Sequence, residues 1–427
     1  RSGGRHDFLL VVVGTGVLQL LLLVTGVITA RLLGVEGRGV VALVFALGLL
    51  GSQLTWGGSA PTALAKNLAQ RHVGARDGLR GIVRRRGWLL VPPCLVTGAV
   101  MAWLQRDAAT LTWLGLGAAV SVMTAQTIAS RLLIASLQGE VGRLPRMVAV
   151  SLLPQLLFAI TLSVAFVAGW TWSTGAVLVA FFVASTVGLL AGLPALSRPT
   201  HDPADRLDEA QLWRDTRATY VSSVRPLDSI GLDRILVGGL LGTVSLGLYA
   251  AAAAVASLGG TVGNAVAIIV LPQVARAHDD PAAQRSVARR WLALTAVSVL
   301  VIIAVIETVV DPLIRVAFGP EFGGAVDVAR WLIVADALFG FRKVLLAVLQ
   351  GQGRGGLASW IELSMLPLLV LGIAVASWRD SLVGIGISLT VIGVLSCVVL
   401  GLAVARGPRD RGRRASRRGA RRPIIET

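Results

Sequence analysis

The sequence predicts an all-α polytopic membrane protein, with about twelve transmembrane helices in two six-helix lobes related by an internal parallel repeat. Three observations predict it. Of 427 residues, 55% are hydrophobic and only 15% charged, with a mean hydropathy of +0.75. A water-soluble chain of this length needs far more charged surface, so a cytosolic enzyme or a secreted domain is excluded. The apolar residues fall in twelve stretches, each able to cross a hydrocarbon core of about 30 Å. Finally, the cations alternate between connecting segments as a bundle with an even number of spans requires.

In order, the spans are expected at 8–30, 39–60, 87–104, 110–130, 147–168, 174–194, 216–241, 246–270, 291–311, 327–349, 356–377 and 381–405. Pro92 and Pro93 interrupt the third, and embedded charges interrupt the seventh and tenth. The N-terminus, the loops 61–86, 131–146, 195–217, 271–290 and 342–355, and the C-terminal tail together hold 32 Lys and Arg; the opposite loops hold 5. The positive-inside rule therefore places both termini in the cytoplasm. The Arg-rich tail, with nine arginines from Arg406 onward, reads as a segment lying on anionic phospholipids. Neither aromatics nor a fold accompany that charge, so no nucleic-acid partner is expected.

The chain carries an internal repeat. RLLGVEGRGVVA at 31–42 aligns without gaps on GLLGTVSLGLYA at 239–250, matching Leu32 to Leu240, Leu33 to Leu241, Gly34 to Gly242, Gly39 to Gly247 and Ala42 to Ala250 at an offset of 208. LIASLQG at 133–139 aligns on LLAVLQG at 345–351 at an offset of 212. Six spans per repeat leave both copies in one orientation, so the axis relating them runs along the membrane normal. The expected organisation is an N-terminal lobe at 1–194, an inter-lobe loop at 195–215, a C-terminal lobe at 216–405 and the tail at 406–427.

TGVITARLLGVEGRGVVALVFALGLLGS resembles the opening helix pair of the polysaccharide-unit flippases of the multidrug/oligosaccharidyl-lipid/polysaccharide exporter superfamily. LDRILVGGLLGTVSLGLYAAAAAVASL resembles the pair that opens their second half. The resemblance extends over the chain through its span count and lobes. It implies translocation of a polyprenyl-pyrophosphate-linked saccharide across the bacterial inner membrane by alternating access. A cation-coupled multidrug exporter and a lipid II flippase are the alternatives within the superfamily. The lipid II flippases typically carry two further spans, and the multidrug branch commonly places an acid within its first span, where this chain has Asp7 ahead of it. A membrane-embedded transferase is the competing reading from another class, but the loops hold no acidic pair or His motif of the kind it needs.

An ionisable side chain in a span costs about 2.5–3.5 kcal/mol on insertion scales and so marks a cavity or a partner. Span seven concentrates four: Arg225, Asp228, Asp233 and Arg234. At about 100° per residue on an unbroken helix, Arg225, Asp228 and Asp233 share a wide face and Arg234 points elsewhere. Arg225 and Arg234, with Arg31 and Arg38 flanking the turn GVEG, are the candidate substrate-binding cations, because a guanidinium grips a pyrophosphate bidentately. Asp228, Asp233, Asp336 and Glu307 are the candidate ion-coupling acids, with a proton or sodium ion as the coupling partner; Glu362 is a further acid without a sequence-local cation. Gln19, Gln53, Gln126 and Asn264 are candidates for a sugar path or for helix-to-helix hydrogen bonds.

No catalytic residue, metal site or cofactor is expected. Cys94 and Cys397 lie in apolar runs, and His6, His72, His201 and His278 lie in polar segments without ligand spacing. GQGRGG at 351–356 follows an apolar helix rather than a strand and reads as a turn, not a nucleotide loop. Gly238 with Gly242 and Gly259 with Gly263 read as close-packing GxxxG pairs.

Overall fold

The computed structural model describes residues 3–54, 59–71, 75–106, 110–139, 144–196, 212–217, 231–277 and 280–406. Among them every regular element is helical. The first half comprises α1 (Gly3–Leu54), α2 (Ala60–Arg71), α3 (Ala75–Arg86), α4 (Val91–Leu104), α5 (Thr110–Gly139), α6 (Leu144–Val167) and α7 (Thr174–Gly192). The second comprises α8 (Leu232–Leu240), α9 (Gly242–Arg276), α10 (Pro281–Ala317), α11 (Val326–Gly351), α12 (Gly355–Trp378) and α13 (Leu382–Ala405). Nine described helices are long and apolar enough to cross a membrane by length and composition.

Spans one and two lie within α1, which breaks at Gly34, where φ is +68. Only glycine takes that conformation at no steric cost. Gln19 and Leu22 before the break and Leu49 after it line one cavity, so the chain folds back there. Gly242, at φ +83, makes the equivalent break between α8 and α9. The two glycines are partners in the sequence repeat. Pro92 and Pro93 are also accommodated: a 3-10 turn at Gly87–Leu90 precedes them and α4 starts at Val91, so both occupy a first turn that needs no N–H donor.

Three expectations are corrected. The segment 61–86 is no plain loop: α2 buries Ala60, Ala63, Leu64 and Leu68 against Ile128 and Leu132 of α5. The loop expected at 271–290 shrinks because α9 runs to Arg276 and α10 starts at Pro281, with the Asp280 carboxylate accepting from the Ala282 and Ala283 N–H groups. Gly238 and Gly242 share no helix, since α8 ends at Leu240. The second glycine pair does pack. A Cβ on Gly263 would lie 2.2 Å from the Gly340 carbonyl carbon, and one on Gly259 3.1 Å from the Ile333 carbonyl oxygen, so α9 and α11 cross backbone to backbone.

The two halves meet most tightly where α1 crosses α9. A Cβ on Gly39 would fall 1.8 Å from the Thr243 carbonyl oxygen, and one on Gly247 1.9 Å from that of Val35. Val35 and Thr243 are themselves equivalent at the offset of 208, so the contact is a pseudo-twofold one. Next to it, the Arg31 guanidinium donates from Nε to the Ala317 carbonyl at 2.9 Å and from Nη2 to that of Val316. Together these contacts close the bundle at the face holding Gly34 and Gly242.

Gly247→Ala should therefore part the lobes at that face. Spin labels at Trp170 and Arg379, one on each lobe at the same face, should report a longer distance by double electron–electron resonance than in the parent. An unchanged distribution would mean that the crossing does not hold the lobes.

Candidate functional site

Between the lobes lies a cavity of about 480 Å³. The first half contributes Gln19, Leu22 and Leu49, and the second contributes Asp233, Arg234, Tyr249, Ser257 and Asp336 among apolar neighbours. Gly231, at φ +62, starts α8 afresh, so Asp233 and Arg234 occupy the first turn of a nine-residue helix. Asp233 and Arg234 both line this cavity, although adjacent residues of a helix point about 100° apart. Arg225 and Asp228 lie outside the described residues, as do most of the inter-lobe loop and all of the Arg-rich tail beyond Arg406.

The acids are held in different ways. Tyr249, 1% exposed, donates its hydroxyl to Asp233 Oδ2 at 2.6 Å. Asp336 Oδ2 accepts the Gly260 N–H at 3.2 Å, where the close approach of α9 and α11 exposes that amide. Glu307 stands away from the cavity, 4.0 Å from Arg330. Glu362, solitary in the sequence, pairs with Arg342 at 2.9 Å with their side chains only 6% and 0% exposed. Arg342, assigned by sequence to a cytoplasmic loop, is in fact buried in its lobe, and its guanidinium carbon lies 5.2 Å from the Phe339 ring centroid.

The cations divide likewise. Arg31 is engaged at the closed face, outside the cavity. Arg38 turns inward: its Nη2 lies 3.3 Å from where a Cβ on Gly26 would be, and its charge is within electrostatic range of Arg234. The Arg38 Nε is buried and makes no hydrogen bond. Among the described residues, no acid forms an ion pair with Arg38 or Arg234. Gln126 sits in a separate cavity within the first lobe, Gln53 is buried near the end of α1, and Asn264 is absent from the central lining. Tyr249 escaped the sequence reading, since one tyrosine in an alanine-rich helix reads as core. Its equivalence to Val41 in the repeat was the available signal.

Solved structures of similar shape decide the class of fold. An inward-facing multidrug resistance transporter of the MATE family, within the MOP superfamily, matches with a TM-score of 0.68 at 15% identity, over 91% of this chain and 95% of that one. The fold is that of the MOP superfamily transporters. A MOP superfamily transporter from Pyrococcus furiosus, reported for the reversed polarity of its binding pocket, matches at TM-score 0.61 and 15% identity, over 93% of this chain and 94% of that one. An outward-facing MATE family transporter matches at 0.55 and 15% identity, with coverage of 93% and 94%. Residues 219–327 match the family described as polysaccharide biosynthesis protein, which places Asp233, Arg234 and Tyr249 inside the matched stretch. No curated protein matches the chain. The apolar helices and this fold make it a multi-pass membrane protein, with the central cavity between its two lobes.

Removing one partner of the Arg342–Glu362 pair leaves a buried charge, at a cost of about 3–5 kcal/mol. Arg342→Met should lower the thermal midpoint of the detergent-solubilised protein markedly. The double variant Arg342→Met/Glu362→Leu should recover most of the loss. Equal midpoints for parent and single variant would show that the pair is not a structural clamp.

Proposed function

We propose that the protein translocates a polyprenyl-pyrophosphate-linked saccharide across the bacterial inner membrane by alternating access. The observation that carries this reading is the approach of Arg38 and Arg234 at the lobe interface without an acid paired to either among the described residues. Two guanidinium groups at membrane depth repel each other and are costly to desolvate, and a doubly charged anion between them relieves both costs. A pyrophosphate supplies that anion in the bidentate geometry that arginine prefers. Gln19 and Ser257 offer amide and hydroxyl groups to the first sugar. The family match over 219–327 supports the saccharide class of cargo.

In this reading the present structure is the state open towards the cytoplasm. The glycine crossing and the Arg31 contacts seal the outer face, and the higher similarity to an inward-facing transporter agrees with that. Asp233 and Asp336 lie close enough to the cationic pair to link cargo with a coupling proton or sodium ion. Binding a cation at the acids lowers their attraction for Arg234 and leaves it free for phosphate. Tyr249 keeps the Asp233 carboxylate in place through either state.

Complementation of a flippase-deficient strain, alongside membrane immunoblots, tests the proposal. Arg234→Ala and Arg38→Ala each remove a charge-assisted contact of about 1.5–3 kcal/mol, so transport should fall roughly ten- to hundredfold while the protein still inserts. Arg234→Lys should rescue in part, since an ammonium keeps the charge but not the planar fork. Asp233→Asn should abolish coupled export, and Tyr249→Phe should reduce it. Full export by Arg234→Ala together with Arg38→Ala would remove the basis for a pyrophosphate cargo.

A further inference from the structure

A groove of about 510 Å³ runs along the first lobe between α4 and α5, both of them candidate spans. Close packing makes it. A Cβ on Gly98 would lie 2.7 Å from the Gly117 carbonyl oxygen and one on Gly117 2.9 Å from that of Gly98, and Ser121 donates its hydroxyl to the Cys94 carbonyl at 2.8 Å. Beside this contact Ala99, Ala102 and Ala118 keep the floor free of long side chains. Leu95 and Trp103 of α4 and Leu114 of α5, all more than half exposed, form its walls. On a helix surface turned to lipid, an open apolar furrow of this kind is filled by hydrocarbon.

One end of the groove is charged. Arg106, just beyond the end of α4 at Leu104, has its guanidinium carbon 5.3 Å from the Trp103 ring centroid, so the ring covers one face of the cation. The residue is exposed, and its guanidinium makes no ion pair or hydrogen bond among the described residues. From Arg106 back to Leu95 is eleven residues, about 16 Å of helix and half of a hydrocarbon core of about 30 Å. The groove therefore spans one leaflet, with its cation at the membrane surface. An anionic headgroup on an apolar chain complements both parts.

The neighbourhood of the groove selects the lipid. A Cβ on Gly239 would lie 3.7 Å from Leu104 Cδ2, so the end of α4 touches α8, whose Asp233 and Arg234 line the central cavity. Gly239 is three residues from the break at Gly242, which puts Arg106 at the closed face of the bundle. A headgroup that leaves the lobe interface when this face opens meets Arg106 beside α8, while its chain stays in the membrane. A furrow between two touching helices takes one chain; a diacyl phospholipid must leave its second outside, whereas a polyprenyl lipid has a single chain. We propose that the groove receives the translocated cargo lipid, with its pyrophosphate on Arg106 and the adjoining stretch of its polyprenyl chain over Gly98, Ala102 and Gly117. That the cargo is a polyprenyl lipid rests on the function proposed above; that the groove takes an anionic lipid does not. Release then begins on a defined surface in the outer leaflet.

Photocross-linking tests this, with p-benzoylphenylalanine placed at Leu114 of the full-length protein in detergent and undecaprenyl phosphate as the probe. The expected result is an adduct, detected by mass spectrometry, that a tenfold excess of phosphatidylglycerol lowers by less than half. Arg106→Gln should cut the yield at least fivefold, and Arg106→Lys should cut it less. Undecaprenol, which lacks the phosphate, should react at least fivefold less with the otherwise unaltered protein, which tests the cation without a variant there. Ala99→Leu and Ala118→Leu, at exposed floor positions, should each cut the yield at least threefold. Arg234→Ala should leave it within twofold. No adduct at Leu114 overturns the groove and leaves the proposed function, which the export assay tests separately, standing. Loss under Arg234→Ala but not under Arg106→Gln also overturns it, by moving the lipid to the central cavity. Competition by phosphatidylglycerol at equal concentration would assign the groove to a phospholipid and overturn the cargo site, and undecaprenol reacting as well as its phosphate would overturn the role of Arg106.

Discussion

The backbone contact between Gly39 and Gly247 governs the rest of the architecture. Neither position can carry a side chain while Val35, Thr243 and the two glycines keep their spacing. The crossing sits five residues beyond the breaks at Gly34 and Gly242, where positive φ angles fold each helix pair back on itself. The two breaks and the crossing thus form one device, present in both repeats and completed only when they meet. It joins the lobes at one face and leaves a gap farther along both helix pairs. Gln19 and Leu49 are each fifteen residues from Gly34, roughly 22 Å along their helices, and it is there that the central cavity opens.

Lipid imposes the second constraint, since no solvent within the hydrocarbon satisfies a charge or a carbonyl. The chain answers it in two opposite ways. Arg342 and Glu362 neutralise each other inside one lobe, with the guanidinium also near Phe339, and nothing about them asks for a ligand. Arg38 and Arg234 stand within electrostatic range of each other with like charge. Breaking the first arrangement destabilises the fold; neutralising the second relaxes it. Charges of identical chemistry are therefore sorted into clamp and site by what faces them, which only the packing of the helices decides.

That sorting marks the limit of what sequence made legible. Span positions, the repeat and the glycine equivalences could be read directly, because hydropathy and backbone breaks are local properties. Arg342, counted among the loop cations, is in fact buried in its lobe, which leaves the bias of 32 against 5 in the sequence almost unchanged. The site was legible only in part. Asp233, Arg234, Arg38 and Asp336 come together around the interface, but Arg31 turns to the Val316 and Ala317 carbonyls and Glu307 to Arg330. Rotation about a helix axis is uncertain wherever a glycine such as Gly231 interrupts the helix, and the angular argument across span seven reaches back to Arg225 and Asp228, outside the described residues. Tyr249 and the cavity around Gln126 depend on contacts between helices far apart in sequence, which no local pattern encodes.

The repeat itself shows where the two lobes diverged. Gly26 stands at the position equivalent to Arg234, and Leu246 at the position equivalent to Arg38, at the same offset that pairs Gly34 with Gly242. Arg38 packs beside Gly26, so the first lobe supplies its cation from span two to the place where the second lobe supplies its own from span seven. Each lobe therefore brings one guanidinium to the axis, by different helices, and neither position is needed to keep a lobe helical. A pair of like charges assembled from non-equivalent positions gains nothing from the fold's symmetry. An anion bridging both halves, as proposed above, would account for its retention at the lobe interface.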